Sequence, residues 1–182
     1  MPTVPTHALV ATTMFSWLAR EHRTSALWAA GMLCAMLPDL DVVGFALGVR
    51  YGDLLGHRGL SHSLVFSAIV ATGVLSAIGP LPRRVAVWWF LFLCTASHGA
   101  LDAATDGGLG VAFLSPFSNE RYFWPWRPIR VAPIGLTRIF TERGMAVFQT
   151  EMVWIWLPCA LVMLTRRVRL ARRSLGQTFK GR

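Results

Sequence analysis

GLSHSLVFSAIVATGVLSAIGPLP, residues 59–82, runs for 24 positions without Asp, Glu, Lys or Arg. A helix that crosses a bilayer needs about 20 such residues, so this stretch reads as a membrane helix, and the class of the whole chain turns on it. Working outward, residues 85–101 are uncharged for 17 positions, and residues 152–165 for 14, extendable towards Gly144 at the cost of Glu151. Towards the amino end, residues 1–19 and 24–38 are shorter uncharged stretches that end on polar residues. They read as a helical hairpin that need not cross the membrane fully.

Composition agrees. The 182 residues leave room for one domain. They are 54% hydrophobic, with mean hydropathy +0.48, and only 15% are charged, against about a quarter in a soluble domain. The expected fold is an all-α integral membrane bundle of about four to five helices, with residues 1–165 as one embedded domain. Residues 103–143 interrupt it as a long irregular loop rich in Pro, Arg and aromatics, and residues 166–182 form a basic tail. Tyr122, Phe123, Trp124 and Trp126 in the loop suit the headgroup level. A cleaved signal peptide is not expected, because no basic segment precedes the first apolar run. The three cysteines show no paired spacing, so neither a zinc knuckle nor a disulfide framework is expected; they read as small buried residues.

The net charge of +9 is uneven: the tail holds seven basic residues and no acid. After an apolar helix such a tail is expected to bind membrane lipids on the cytoplasmic side rather than nucleic acid. With the tail inside, 11 of the 18 basic residues fall inside. In this arrangement His7, residues 38–41, residues 57–62 and residues 98–102 all lie at the outer ends of their helices.

Those four groups hold four of the five histidines. His98 and Asp102 are four apart, hence adjacent on one helix face. Ionisable groups at membrane depth are usually paired or functional. Imidazole nitrogens and carboxylate oxygens are ordinary ligands of Zn²⁺ and related ions. The pattern points to a divalent-metal site of one or two ions, zinc first and manganese as the alternative. Its candidate ligands are His7, Asp39, Asp41, His57, His62, His98 and Asp102. His22, in a charged turn, reads as solvated. Gly59 allows a tight turn and Ser61 is placed to cap the helix that follows. Arg58 is a candidate for an anionic substrate group or a lipid phosphate, and Arg127 with the other loop arginines for stabilising negative charge on a substrate.

The segments PTHALV, LPDLD, HRGLSHS and HGALDAATDGG, in this order over residues 5–108, resemble the signature set of the YdjM-type family of small bacterial inner-membrane proteins, described as metal-dependent hydrolases. That family is distantly similar to zinc-dependent phospholipase C and single-strand-specific nucleases. The resemblance implies His7, Asp39 or Asp41, His57 or His62, His98 and Asp102 as ligands. No histidine follows residue 98, so at least one metal position of the soluble enzymes' cluster is expected to be missing. The function expected is a membrane-bound hydrolase of a phosphoester or lipid-linked substrate. A metal-activated water would attack, with Asp39 or Asp41 orienting or deprotonating it. The alternative is a non-catalytic, metal-stabilised membrane scaffold or regulator. The lipid-phosphatase type is set aside, because its Lys/Arg-rich first motif and PSGH second motif are missing.

Overall fold

The computed structural model describes residues 1–80, 84–132 and 141–180, with side chains described through residue 172. Helix α1 spans Val4–Trp17, with a proline in its first turn where no amide donor is needed. A 3₁₀ turn, Arg20–His22, leads to α2, Ser25–Met36, whose first turn is capped by the Thr24 hydroxyl accepting from the Leu27 amide. The chain continues through a 3₁₀ segment, Leu37–Val42, into α3, Val43–Ala46. Another 3₁₀ turn, Leu60–His62, precedes α4, Leu64–Ile78; α5 is Arg84–Ala103. Helix α6, Glu142–Glu151, passes through a π-helical turn, Met152–Trp156, into α7, Leu157–Lys180. Pro158 has no N–H for the Trp154 carbonyl, which accounts for the widened turn before it.

Among the described residues, three helical runs are long and apolar enough to cross a membrane: Ser25–Ala46, Arg84–Ala103 and Glu142–Arg172. Two stretches differ from the sequence reading, and the first of them, the run 59–82, is not among the three. The uncharged run 59–82 yields a helix of only 15 residues. Its first five residues turn inward, and Ser63, not Ser61, caps α4 by accepting from the Phe66 amide at 3.0 Å. Conversely, the α-helical part of the second helix ends at Met36, just before Pro38, but the proline does not end the helical run. It lies in the first turn of the 3₁₀ segment, where a missing amide costs nothing, and the run reaches 22 residues.

α5 is central and packs against α1, α2 and α4, while α7 lies along α1. The core is built from Ala11, Leu27, Ala35, Ala71, Leu75, Val87, Phe90 and Leu91 with Cys34 and Cys94. In lipid, helices associate by close packing, so small residues matter at the contacts. A Cβ on Gly31 would collide with the Phe90 ring, which fixes how near α2 and α5 approach. Cys34 and Cys94 are buried and Cys159 is half-buried.

The helix directions give the bundle two different ends. His7, Asp39, His62, His98 and Asp102 gather at one. At the other, Arg166 lies over the Trp17 ring, 5.8 Å from its centroid. Residues 104–132 are irregular, held by two isolated bridges, Thr105 to Ile129 and Val111 to Tyr122. Trp124 donates to the Ala100 carbonyl at 2.8 Å, and Trp126 meets Trp154 edge-on. His22 is buried at 2% exposure rather than solvated: Arg23 closes the turn around it by bonding the Ser16 and Leu18 carbonyls. Helix α7 runs without interruption through residue 166, where the tail was expected to begin. Arg83, Arg138 and the tail side chains beyond residue 172 lie outside the described residues.

Candidate metal centre

Four side chains from three elements converge. Asp39 comes from the 3₁₀ segment after α2, His62 from the turn before α4, and His98 and Asp102 from successive turns of α5. α5 can approach the His62 turn because a Cβ at Gly99 would lie only 2.9 Å from the His62 carbonyl. All four side chains are buried. One ligand atom from each lies within 4.8 Å of all the others. His98 Nε2 is 3.1 Å from Asp39 Oδ1, and His62 Nε2 is 3.4 Å from Asp102 Oδ2 and 4.0 Å from Asp39 Oδ1. Ligands tetrahedrally placed around zinc are about 3.4 Å apart. Asp39 Oδ2, His62 Nε2 and Asp102 Oδ1 are buried without a hydrogen-bond partner, while Asp102 Oδ2 is ion-paired with Arg58 Nε at 2.9 Å. Such atoms are costly to leave unsatisfied, and a cation held by the converging ligand atoms would offset the charge gathered there. The donor set, two imidazoles and two carboxylates, fits a divalent ion.

The far sides of these ligands are fixed. His98 Nδ1 lies 2.7 Å from the Ala35 carbonyl, which holds the proton there and leaves the Nε2 lone pair facing the cluster. His62 Nδ1 faces Asp41 Oδ2 at 3.2 Å and Ser61 Oγ at 2.9 Å. Asp41 is itself saturated: His57 Nδ1 bonds its Oδ1 at 2.7 Å, while Ser61 Oγ at 2.6 Å and the Arg58 amide at 3.3 Å bond its Oδ2. Ser61 is therefore engaged with Asp41 rather than with the helix end. Asp41, His57 and His62 form a second group close enough to share an ion.

Burial works against charge on His62, but its bonds to Asp102 and Asp41 outweigh that and raise its pKa to about 9. With His62 protonated, three carboxylates face two cations, His62 and Arg58, a formal sum of −1. Exchanging that proton for one divalent ion gives zero, and a second ion would leave +2. The Met1 amine, 3.9 Å from Asp102 Oδ1, is pushed down to about 6 by burial and adds little charge above neutral pH.

The remaining candidates fall differently. His7 is fully buried and stacks on His98 with ring centroids 3.8 Å apart, outside both groups of converging atoms, and neither of its nitrogens has a partner. Arg58 is fully buried: Nε is 2.9 Å from Asp102 Oδ2, Nη1 donates to the Gly107 carbonyl and Nη2 to Thr105. Its φ of +63° is a conformation that non-glycine residues rarely adopt. A Cβ on the neighbouring Gly59 would strike the Leu54 carbonyl. Arg127 is exposed, its guanidinium 4.6 Å over the Phe123 ring.

Three features escaped sequence reasoning. Arg121 bonds the carbonyls of His57, Tyr51 and Asp53 and so ties the loop to the site. The Ala35 carbonyl orients His98. Glu151, fully buried, accepts from the Thr3 and Thr6 hydroxyls, both at 2.6 Å, and so pins the first turn of α1, which carries His7. Only Glu151 had a sequence signal, as a carboxylate inside an otherwise apolar span.

Fold and site together define a helical membrane protein with a buried Asp/His cluster at one end of its bundle. The chain belongs to the YdjM inner membrane protein family, whose profile matches residues 1–174. It is 44% identical over 166 residues to the inner membrane protein YbcI of Escherichia coli (strain K12), covering 90% of this chain and 95% of that protein. These likenesses support a bacterial inner-membrane location. No solved structure matches the chain significantly.

Proposed function

We propose that the chain is a metal-dependent hydrolase of the inner membrane, holding one divalent ion, zinc first, through Asp39, His62, His98 and Asp102. The carrying observation is the convergence of four ligand atoms within 4.8 Å with unsatisfied polar atoms at three of the residues. Formal neutrality with a single ion favours one over two. An ion held there would polarise a substrate oxygen and acidify a bound water. Asp41, its oxygens already engaged, orients His62 through Nδ1. Arg58 fixes Asp102 through Oδ2, the oxygen that also faces His62 Nε2. Asp39, whose Oδ2 is unpartnered, would take the proton of the attacking water. Asp39 is slightly open to solvent, at 8%, while His98 and Asp102 are closed. The reading takes a phosphoester or lipid-linked phosphate as substrate, because the cluster lies at a membrane face. It sets that face outside the cytoplasm, because basic residues concentrate at the opposite end.

One observation favours a second reading. Four protein ligands, all buried, are the signature of a closed structural site, whereas a catalytic site keeps a position open. The protein would then be a metal-stabilised scaffold. Assay of the metal-loaded wild type separates the two. Turnover of phosphomonoesters, phosphodiesters or lipid phosphates that is lost when the metal is chelated and returns when it is added back supports the hydrolase. No turnover by the metal-loaded wild type on any of the three classes supports the scaffold.

A further inference from the structure

The end of the bundle away from the cluster holds a cavity of about 460 Å³ between the end of α1, the middle of α7 and the start of α2. One wall is apolar, with Phe15, Trp28 and Met163. The rim carries Arg23, Arg166 and Arg167, and no acidic residue is among the lining. Two of the guanidiniums are held in place rather than waving in solvent. Arg23 is anchored by Nε and Nη2 on the Leu18 carbonyl and by Nη2 on the Ser16 carbonyl. Arg166 rests over the Trp17 ring. The Trp28 indole is fixed by its bond to the Thr12 hydroxyl at 3.1 Å. Arg166 and Arg167 lie towards the tail end of the run Glu142–Arg172, so the rim falls where that run meets the headgroups. A cavity that is apolar along the helices and cationic at the rim matches an amphiphile with an anionic head.

We propose that this cavity binds one anionic phospholipid, with the phosphate on Arg23, Arg166 and Arg167 and an acyl chain along Phe15, Trp28 and Met163. A basic pocket between helices recognises such headgroups by charge, and the apolar wall excludes soluble phosphates as equivalents. The site is independent of the metal cluster and of the hydrolase reading.

The test is native mass spectrometry of the full chain in non-ionic detergent, titrated with phosphatidylglycerol or with phosphatidylcholine of the same acyl chains. One phosphatidylglycerol should be retained, roughly tenfold more tightly than phosphatidylcholine. Arg166→Gln/Arg167→Gln should weaken retention about tenfold, whereas Arg169→Gln/Arg172→Gln, further along α7, should not. Met163→Trp fills the apolar wall with the charges intact and should also lose the lipid. It decides the matter if the arginine pair fails to fold. Equal retention of the two lipids would overturn the proposal, as would an equal loss in the Arg169/Arg172 pair, which would make the attraction diffuse. Wild-type retention by Met163→Trp, or displacement by millimolar glycerol 3-phosphate, would overturn it too.

Discussion

The two ends of the bundle handle charge in opposite ways. At the cluster end, ionisable groups are buried and held in place: Arg58 on Asp102, His57 and Ser61 on Asp41, and His98 on the Ala35 carbonyl. At the tail end, the cations are exposed or half-buried around apolar and aromatic surface. Burying a charge is tolerable only when it is paired and hydrogen-bonded, whereas at a headgroup level a cation can stay in water while its stem lies on apolar groups. The cluster end therefore has the rigidity a metal site needs. The tail end has the accessibility a lipid contact needs.

The comparison breaks hardest at Asp102. Asp102→Ala removes a ligand and leaves Arg58 buried without its partner. The chain should lose its metal and about 3–5 kcal/mol of stability, as for other broken buried pairs, read by elemental analysis and thermal unfolding in detergent. Asp41→Asn is milder. It keeps the four converging residues but loosens His62, so metal affinity should fall about 10–100-fold in a folded protein, measured by calorimetric titration. A metal-binding loss no larger than that of a surface variant such as Arg127→Gln would remove Asp41 from its role.

pH sharpens the contrast. His62 has a folded pKa of about 9, above its ordinary value, so its contribution to the metal-free fold is complete below about 6.5 and is lost as pH rises through about 9. Metal must displace that proton. Apparent affinity should therefore weaken about tenfold for each pH unit below 9, with about one proton released per ion bound. Metal affinity that is flat between pH 6.5 and 8.5 would contradict the His62 assignment. The smallest effect is expected at Glu151→Gln, which weakens the hold on α1 by about 1–3 kcal/mol while the metal stays. Metal loss in this variant would mean that α1 and His7 belong to the ligand cage.

Much of the fold was legible because membrane helices announce themselves by uncharged length. The errors have local causes. Residues 59–63 are uncharged yet belong to the site turn, because their polar groups are spent on Asp41 and α4 rather than exposed to lipid. α2 does end beside Pro38, at Met36, but the chain stays helical as a 3₁₀ segment instead of breaking. The four polar groups were legible because His and Asp stood out against an apolar background. Which aspartate of PDLD faces α5 was not. In a 3₁₀ turn residues 39 and 41 point to different sides, and only the packed structure shows Asp39 against His98 and Asp41 against the 57–62 turn. Nor does sequence reveal that Arg58, beside a glycine, takes the left-handed conformation itself. Glu151 meets Thr3 and Thr6 across almost the whole chain, a pairing that no local pattern encodes.

The most direct measurement is elemental analysis of protein purified in mild detergent without a metal-affinity tag, comparing wild type with His98→Ala. One divalent ion per chain in the wild type, absent from a folded variant, is the predicted result. No bound ion in the wild type, and none taken up when Zn²⁺ or Mn²⁺ is added back, would show that hydrogen bonds alone hold the cluster together and would contradict the metal site.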